Sequence, residues 1–231
     1  MFRGYHPELS QVIGRAIALA RGLEHPRTGS EHLLLALAAS RGPIAAVLAD
    51  HGATEDAIRG AVLVAAPAGA GAAADRAALA PLGIDLQRLT GSALDRSPAR
   101  EPLLPLGMGE ARQRCAQQKP PLGLDAQAAY EASLRLALAR REREHRLEHL
   151  AFVLVTLDPG TAWVLDVAGI DERALLAGLA AAFPIPRRNP VLRAERRLGQ
   201  RIRHRDLVRR YQHTTGRTVS AGHAVAALIA D

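Results

Sequence analysis

His145, Glu148 and His149 spell H-x-x-E-H, an inverted zinc-protease signature. Two imidazoles four residues apart can share one helix face, and the glutamate between them can act as a base. The same Glu-His pair recurs at Glu31-His32, but there the position matching His145 is Thr28. The pair therefore belongs to a wider pattern that the metal motif does not explain. No metal site or other cofactor is expected. A glutamate in the first turn of a helix is favoured by the macrodipole without any ligand. His32 and His149, one position on, are expected to hydrogen-bond within a helical bundle.

Two other groups of residues invite chemistry. Arg187, Arg188, Arg193, Arg196, Arg197, Arg201, Arg203, Arg205, Arg209 and Arg210 crowd into 24 residues. Such density would neutralise nucleic-acid phosphates with a steep salt dependence. Tyr211 is the one aromatic residue there, so a stacking platform is missing, and no zinc-finger spacing accompanies it. A solvated segment that docks on an acidic protein is the simpler expectation. Cys115 follows its neighbours Arg112 and Arg114, which favours a thiolate, yet no base lies nearby in sequence. No GxxxxGK[ST] occurs, so ATP hydrolysis by a P-loop is excluded. No nucleophile–base set stands out, and the chain reads as a non-enzyme.

The elements that must position these residues are helices. Apolar residues make up 48% of the 231 residues and aromatics only 3%, so the core rests on Leu, Ala, Val and Ile. A single cysteine excludes a disulfide framework and fits a reducing, cytoplasmic home. The first twenty residues lack a signal-peptide core, and no run of eighteen apolar residues predicts a membrane span. Segment 7–23 carries Leu9, Val12, Ile13, Ala16, Ile17 and Ala20 on one face, with Pro7 in its first turn. Ser30 is expected to cap a helix through Leu37. Pro43 opens a third helix that Gly52 closes, and Thr54 caps a fourth to about Val64. Residues 65–74 read as a flexible small-residue linker. Short helices are expected after Asp85, over 107–118, over 191–213 and after Ser220. Trp163 is expected to pack in the core, opposite Ala46.

The chain then repeats. With each position i set against i + 117, Glu31-His32-Leu33 falls on Glu148-His149-Leu150, Val47-Leu48 on Val164-Leu165, and Gly52 on Gly169. Ten of the 29 positions 31–59 are identical without a gap. One four-helix unit is used twice, and two such units can bury faces that neither buries alone. The organisation predicted is repeat one over about 1–65, a linker with short helices over 66–122, and repeat two over about 123–183. An Arg-rich extension fills 184–231. The net charge of +7 is uneven: residues 187–231 carry +8 and the body −1.

"GSEHLLLAL…VLADHGAT" and "LEHLAFVLV…VLDVAGID" resemble the paired Clp N-terminal (Clp R) repeat. The stretch 78–95 is similar to the segment between the repeats of stand-alone actinobacterial members, which lack the AAA+ ATPase modules. The resemblance covers about residues 1–182 and leaves the basic segment unexplained. It implies an all-α bundle of two tandem four-helix repeats with pseudo-twofold symmetry, followed here by a basic helical tail. It also implies a protein-binding role in Clp proteolysis, with Clp unfoldase or protease components, adaptors or client proteins as partners. A nucleic-acid-associated accessory role through the tail is the alternative.

Better-studied relatives offer a phosphoarginine or peptide site in each repeat, in which the glutamate of the Glu-His pair holds the guanidinium. The matching residues are Glu31 and Glu148. Helix N–H groups would take the phosphate, and Ser30 and Thr28 could add hydroxyls in the first copy. In the second copy Leu147 replaces the hydroxyl residue and a charged loop precedes it, which favours the first site. An aromatic near the start of the family's chains lies by a ligand surface, and Phe2 matches it. Arg187, Arg188, Arg196, Arg197, Arg201, Arg203, Arg209 and Arg210 could alternatively fold back onto the two carboxylates and block them.

Overall fold

A computed structural model describes residues 4–82, 117–140 and 142–185. Phe2, Cys115, the helices expected after Asp85, over 191–213 and after Ser220, all but the last two residues of the one expected over 107–118, and every arginine named in the basic tail lie outside those residues.

The described chain begins with a two-residue strand, β1 (Gly4–Tyr5). Helices α1 (Pro7–Gly22), α2 (Ser30–Ala38), α3 (Pro43–Asp50), α4 (Glu55–Ala65) and α5 (Ala70–Leu79) follow, with a 3₁₀ turn at Ala80–Leu82. The second half holds α6 (Leu124–Ala139), β2 (Glu144–His145), α7 (Leu147–Leu157), α8 (Pro159–Val167) and α9 (Glu172–Ala182). Shifting α1 by 117 gives the bounds of α6, and shifting α4 gives those of α9.

The local causes are readable. Pro7, Pro43 and Pro159 sit at helix starts, where the missing N–H costs nothing. Thr54 caps α4 through Ala57 N, and Asp171 caps α9 through Arg173 N and Ala174 N. Gly52 and Gly169 take φ of 81° and 69° after α3 and α8, the left-handed exit for which glycine is suited. Ser30 is not a cap: Gly29 holds that position and Ser30 is the first helical residue.

α2 and α7 run through the centre. Leu33 to Leu37 in α2 and Leu150 to Val155 in α7 are all buried, so neither stretch has a solvent face. The amphipathic helices pack around them: Leu9 and Val12 of α1, Ile58 and Val62 of α4, Leu136 of α6, and Leu175 and Leu179 of α9. Trp163 of α8 packs against the same core from a partly buried position. No single described helix is long and apolar enough to cross a membrane.

Extended backbone ties the halves together by exchange. Gly4 and Tyr5 pair in parallel with Glu144 and His145, while Thr28 bridges Leu122. Under the shift of 117, Tyr5 becomes Leu122 and Thr28 becomes His145, so each bridge is the other with the repeats interchanged. The bonds His6 N–H to His145 O (2.7 Å) and Gly123 N–H to Thr28 O (2.9 Å) obey the same exchange. The architecture is all-α with pseudo-twofold symmetry.

The segment expected to be a flexible linker is partly a helix. α5 packs against α2, α4 and α8. Alanine has the highest helix propensity, and here its small side chain also lets α5 lie close to its neighbours. Gly160 of α8 makes room: a Cβ there would meet Gly71 N at 3.0 Å and Ala70 C at 3.3 Å.

Candidate functional site

Each central helix begins in the same way. The residue three places into the turn is a histidine that reaches back to the N-cap backbone. Gly29 N–H donates to His32 Nδ1 at 3.0 Å, and Arg146 N–H donates to His149 Nδ1 at 3.0 Å. This is the reciprocal half of a capping box, with imidazole in place of the usual Glu or Gln. It leaves a neutral His149 with its proton on Nε2, facing Glu142 Oε1 at 3.2 Å. In the first repeat the corresponding nitrogen of His32 lies 2.9 Å from His25 Nδ1. His25 and Glu142 are themselves equivalent under the shift of 117.

Two trios come near metal-ligand spacing: His25, Glu31, His32 and Glu142, Glu148, His149. They are one trio seen twice. The capping bonds use the Nδ1 atoms of His32 and His149, and their Nε2 atoms face His25 and Glu142. In the H-x-x-E-H stretch, His145 is turned away from this trio. The Ser133 hydroxyl donates to Tyr130 O at 2.7 Å, so His145 Nε2–H donates to Ser133 Oγ at 2.7 Å. Burial, then the neighbouring His149, push the His145 imidazole down to about 3.

The two glutamates have different surroundings. Glu31 is 3% exposed. Its carboxylate folds back over Gly29, where a Cβ would lie 2.3 Å from Oε2, and it sits 3.2 Å from His32 Nδ1. Gly69, the N-cap of α5, closes from the other side: its Cβ would lie 3.2 Å from Glu31 Oε1. Burial alone would raise the Glu31 carboxyl. The His32 ring, its own backbone N–H and the more distant His25 outweigh that and hold it below the ordinary glutamate value.

Ser30 and Thr28 present no hydroxyl to solvent, since both are fully buried. Ser30 Oγ donates to Asp158 Oδ2 at 2.6 Å, and Thr28 Oγ1 donates to Pro120 O at 3.4 Å. The helix N–H that would greet a phosphate is also engaged: Ser30 N–H donates to Asp125 Oδ2 at 2.7 Å. Burial and the negative charges of Glu31 and Asp158 raise the Asp125 carboxyl. Asp158 in turn caps α8 through Thr161 N at 2.6 Å. Three carboxylates thus converge on the start of α2, and among the described residues none pairs with Arg or Lys.

The second copy is open by comparison. Glu148 is half-buried, and among the described residues no hydrogen bond or ion pair ties its carboxylate down. The residue equivalent to Asp125 is Glu8, which is exposed and faces His6 at 3.5 Å. The N-cap is Arg146, half-exposed, with Nη2 3.0 Å from Glu144 Oε2. A cation, the Glu148 carboxylate and the start of an eleven-residue helix therefore adjoin one another.

Asp125 and Asp158 carry the first site's chemistry and were not among the candidates from sequence. They lie far from Glu31 in the chain. Their signal was the comparison of the copies, since Asp125 stands where repeat one has Glu8 and Asp158 where it has Arg41.

Residues 5–100 match the family model of the Clp repeat (R) N-terminal domain. No curated protein and no solved structure matches this chain.

Proposed function

The chain carries a Clp repeat N-terminal domain over residues 5–100, and from that premise we propose that it is a recognition module of the Clp system. The domain type is non-catalytic and associates with that system in general. The finer role proposed is to hold clients or adaptors through arginine-type side chains at the starts of the central helices. The observation that carries this is the asymmetry between equivalent glutamates: Glu148 is half-buried, without a hydrogen bond or ion pair among the described residues, beside Arg146 and the N-terminus of α7.

Phosphoarginine suits that arrangement. Its guanidinium would pair with Glu148, while its phosphate would meet Arg146 and the first N–H groups of α7. Sequence favoured the first copy for this role. The surroundings of Ser30 favour the second, because Asp125 already fills the anion position on α2.

A pull-down from cells tests this reading. The wild-type chain is expected to recover Clp subunits and clients, with clients lost in Glu148→Ala and retained in Glu31→Ala. Equal client recovery by wild type and Glu148→Ala would reject it.

A further inference from the structure

We infer that Arg140 is a latch between the start of α7 and the point where the chain leaves the bundle. It makes the second site respond to what happens at that exit. The ligand part of the argument rests on the reading above of the α7 start as a binding site.

Repeat one has no counterpart. Under the shift of 117, Arg140 stands where repeat one has Leu23, and Glu142 where it has His25, so an apolar residue and an imidazole give way to an ion pair. Arg140 ends α6, and its side chain is 2% exposed. A guanidinium so deeply buried is costly unless its surroundings engage it. They do so from three directions. Nη2 donates to Phe183 O and to Pro184 O, both at 3.1 Å, where α9 ends. Nε stands 2.7 Å from Glu142 Oε1. The guanidinium carbon lies 5.4 Å from the centre of the Phe152 ring in α7.

The same Glu142 oxygen stands 3.2 Å from His149 Nε2, and His149 Nδ1 accepts from Arg146 N–H. Burial would raise the Glu142 carboxyl. His149 first and Arg140 second outweigh that and hold it below the ordinary glutamate value. A continuous path therefore runs from the carbonyls of Phe183 and Pro184 through Arg140, Glu142 and His149 to the backbone N-cap of α7. Arg146 and Glu148 flank that cap.

The latch is made to release. Nη1 is buried without a hydrogen-bond partner, and neither Arg140 Nε nor His149 Nε2 is aligned on Glu142 as a hydrogen bond. The latched state thus leaves donors unsatisfied. That narrows its advantage over a state in which the exit swings out and water reaches the guanidinium. The arginine-rich run begins at Arg187, three residues after Pro184. Drawing that run away from the body takes the two carbonyls from Arg140, shifts Glu142 and loosens the cap. Coupling of this kind is reciprocal, so a ligand at the start of α7 tightens the exit.

Amide spectra and hydrogen exchange of the full chain test this. Free phosphoarginine is expected to shift the Ala182, Phe183 and Ile185 amides together with those of Leu147 to His149. It should also slow exchange at Phe183, whose N–H is bonded to Leu179 O, at least threefold. Arg140→Leu, which installs the residue of repeat one, should keep the α7 shifts and lose those at the exit. Exit amides that stay still while α7 responds, or that still respond in Arg140→Leu, would overturn the latch. A second variant, Glu142→Gln, needs no ligand and serves also if Arg140→Leu fails to fold. Among the described residues Glu142 engages Arg140 and His149 rather than the exit. Exchange at Phe183 at least fivefold faster in this variant, measured against the α2 amides of the same sample, is the expected result, and unchanged exchange there would equally overturn the latch. If α7 is silent to phosphoarginine in the wild type, the reading of that site fails and Glu142→Gln alone decides the latch.

Discussion

Four buried histidines, His25, His32, His145 and His149, set the polar interior of the described body, and they are not interchangeable. His32 and His149 cap the central helices through Nδ1, so replacing either with alanine leaves a backbone N–H without its partner. His145 has a different part: it is fully buried, bonded to Ser133, and matched by Thr28 in the sister repeat. Its folded value of about 3 lies well below that of an exposed imidazole. Between those values the unfolded chain binds a proton that the folded chain refuses, so stability rises with pH across that window. His25 is shifted the same way, by burial first and then by His32. Acidification from pH 7.5 to 5.0 is therefore expected to destabilise the wild type by on the order of 1–2 kcal/mol through His145 alone. His145→Thr, which installs the sister residue, should remove that part of the pH dependence. Urea midpoints for both proteins at the two pH values check this, and identical pH slopes would count against it.

At the scale of elements, the helix starts decide most. Asp158 caps α8 and also accepts from Ser30 of α2, so it fixes one helix to another across the repeats. Asp171 caps α9 through an exposed pair of bonds and nothing else. Loss of an ordinary cap costs about 1 kcal/mol. Asp171→Ala should show that cost in urea denaturation. Asp158→Ala should exceed it by about another 1 kcal/mol, because Ser30 Oγ is left buried without an acceptor. Equal losses would mean that the contact between α2 and α8 carries no energy. The central helices are sensitive in another way. Leu37 and Leu154 occupy the same place in the two copies and both are fully buried. Alanine at either should cost about 2–5 kcal/mol by the same unfolding measurement.

α5 shows where sequence reading stops at this scale. AGAAADRAAL has no apolar stripe to mark a face, so periodicity reports nothing, and Ala-Gly composition suits a spacer as well as a helix. Its helical state follows from a groove that exists only once α8 has come back to α2, with Gly160 leaving the space. The central helices were legible for the opposite reason. Their apolar runs, the Glu-His pairs and the glycine exits recur at one offset, which fixes both the elements and their pairing. The site was half legible. Glu31 and Glu148 follow from the repeat, but their contrast depends on Asp125, Asp158 and Gly69, which only the tertiary fold brings to Glu31.

At the scale of the whole molecule, the halves are braced by two exchange-related bridges and share one core cluster. Neither half keeps its extended backbone paired without the other. Unfolding is therefore expected to be a single cooperative transition of the described body, with the same midpoint by far-ultraviolet circular dichroism and by Trp163 fluorescence. Two separated midpoints would mean that the repeats are independent domains. The bracing also explains how one fold holds two unlike sites. The exchange keeps the helix starts equivalent in backbone, while single substitutions at equivalent places, Glu8 against Asp125 and Arg41 against Asp158, close one and leave the other open.

The central claim is that the start of α7 grips an anion-tagged guanidinium through Glu148. Titrating free phosphoarginine into the isotopically labelled full chain, with the backbone amides of Arg146 to His149 as reporters, tests it most directly. Saturable shifts at those amides that vanish in Glu148→Ala are the predicted result. Shifts that survive the substitution, or an unresponsive α7 at saturating ligand, would contradict it.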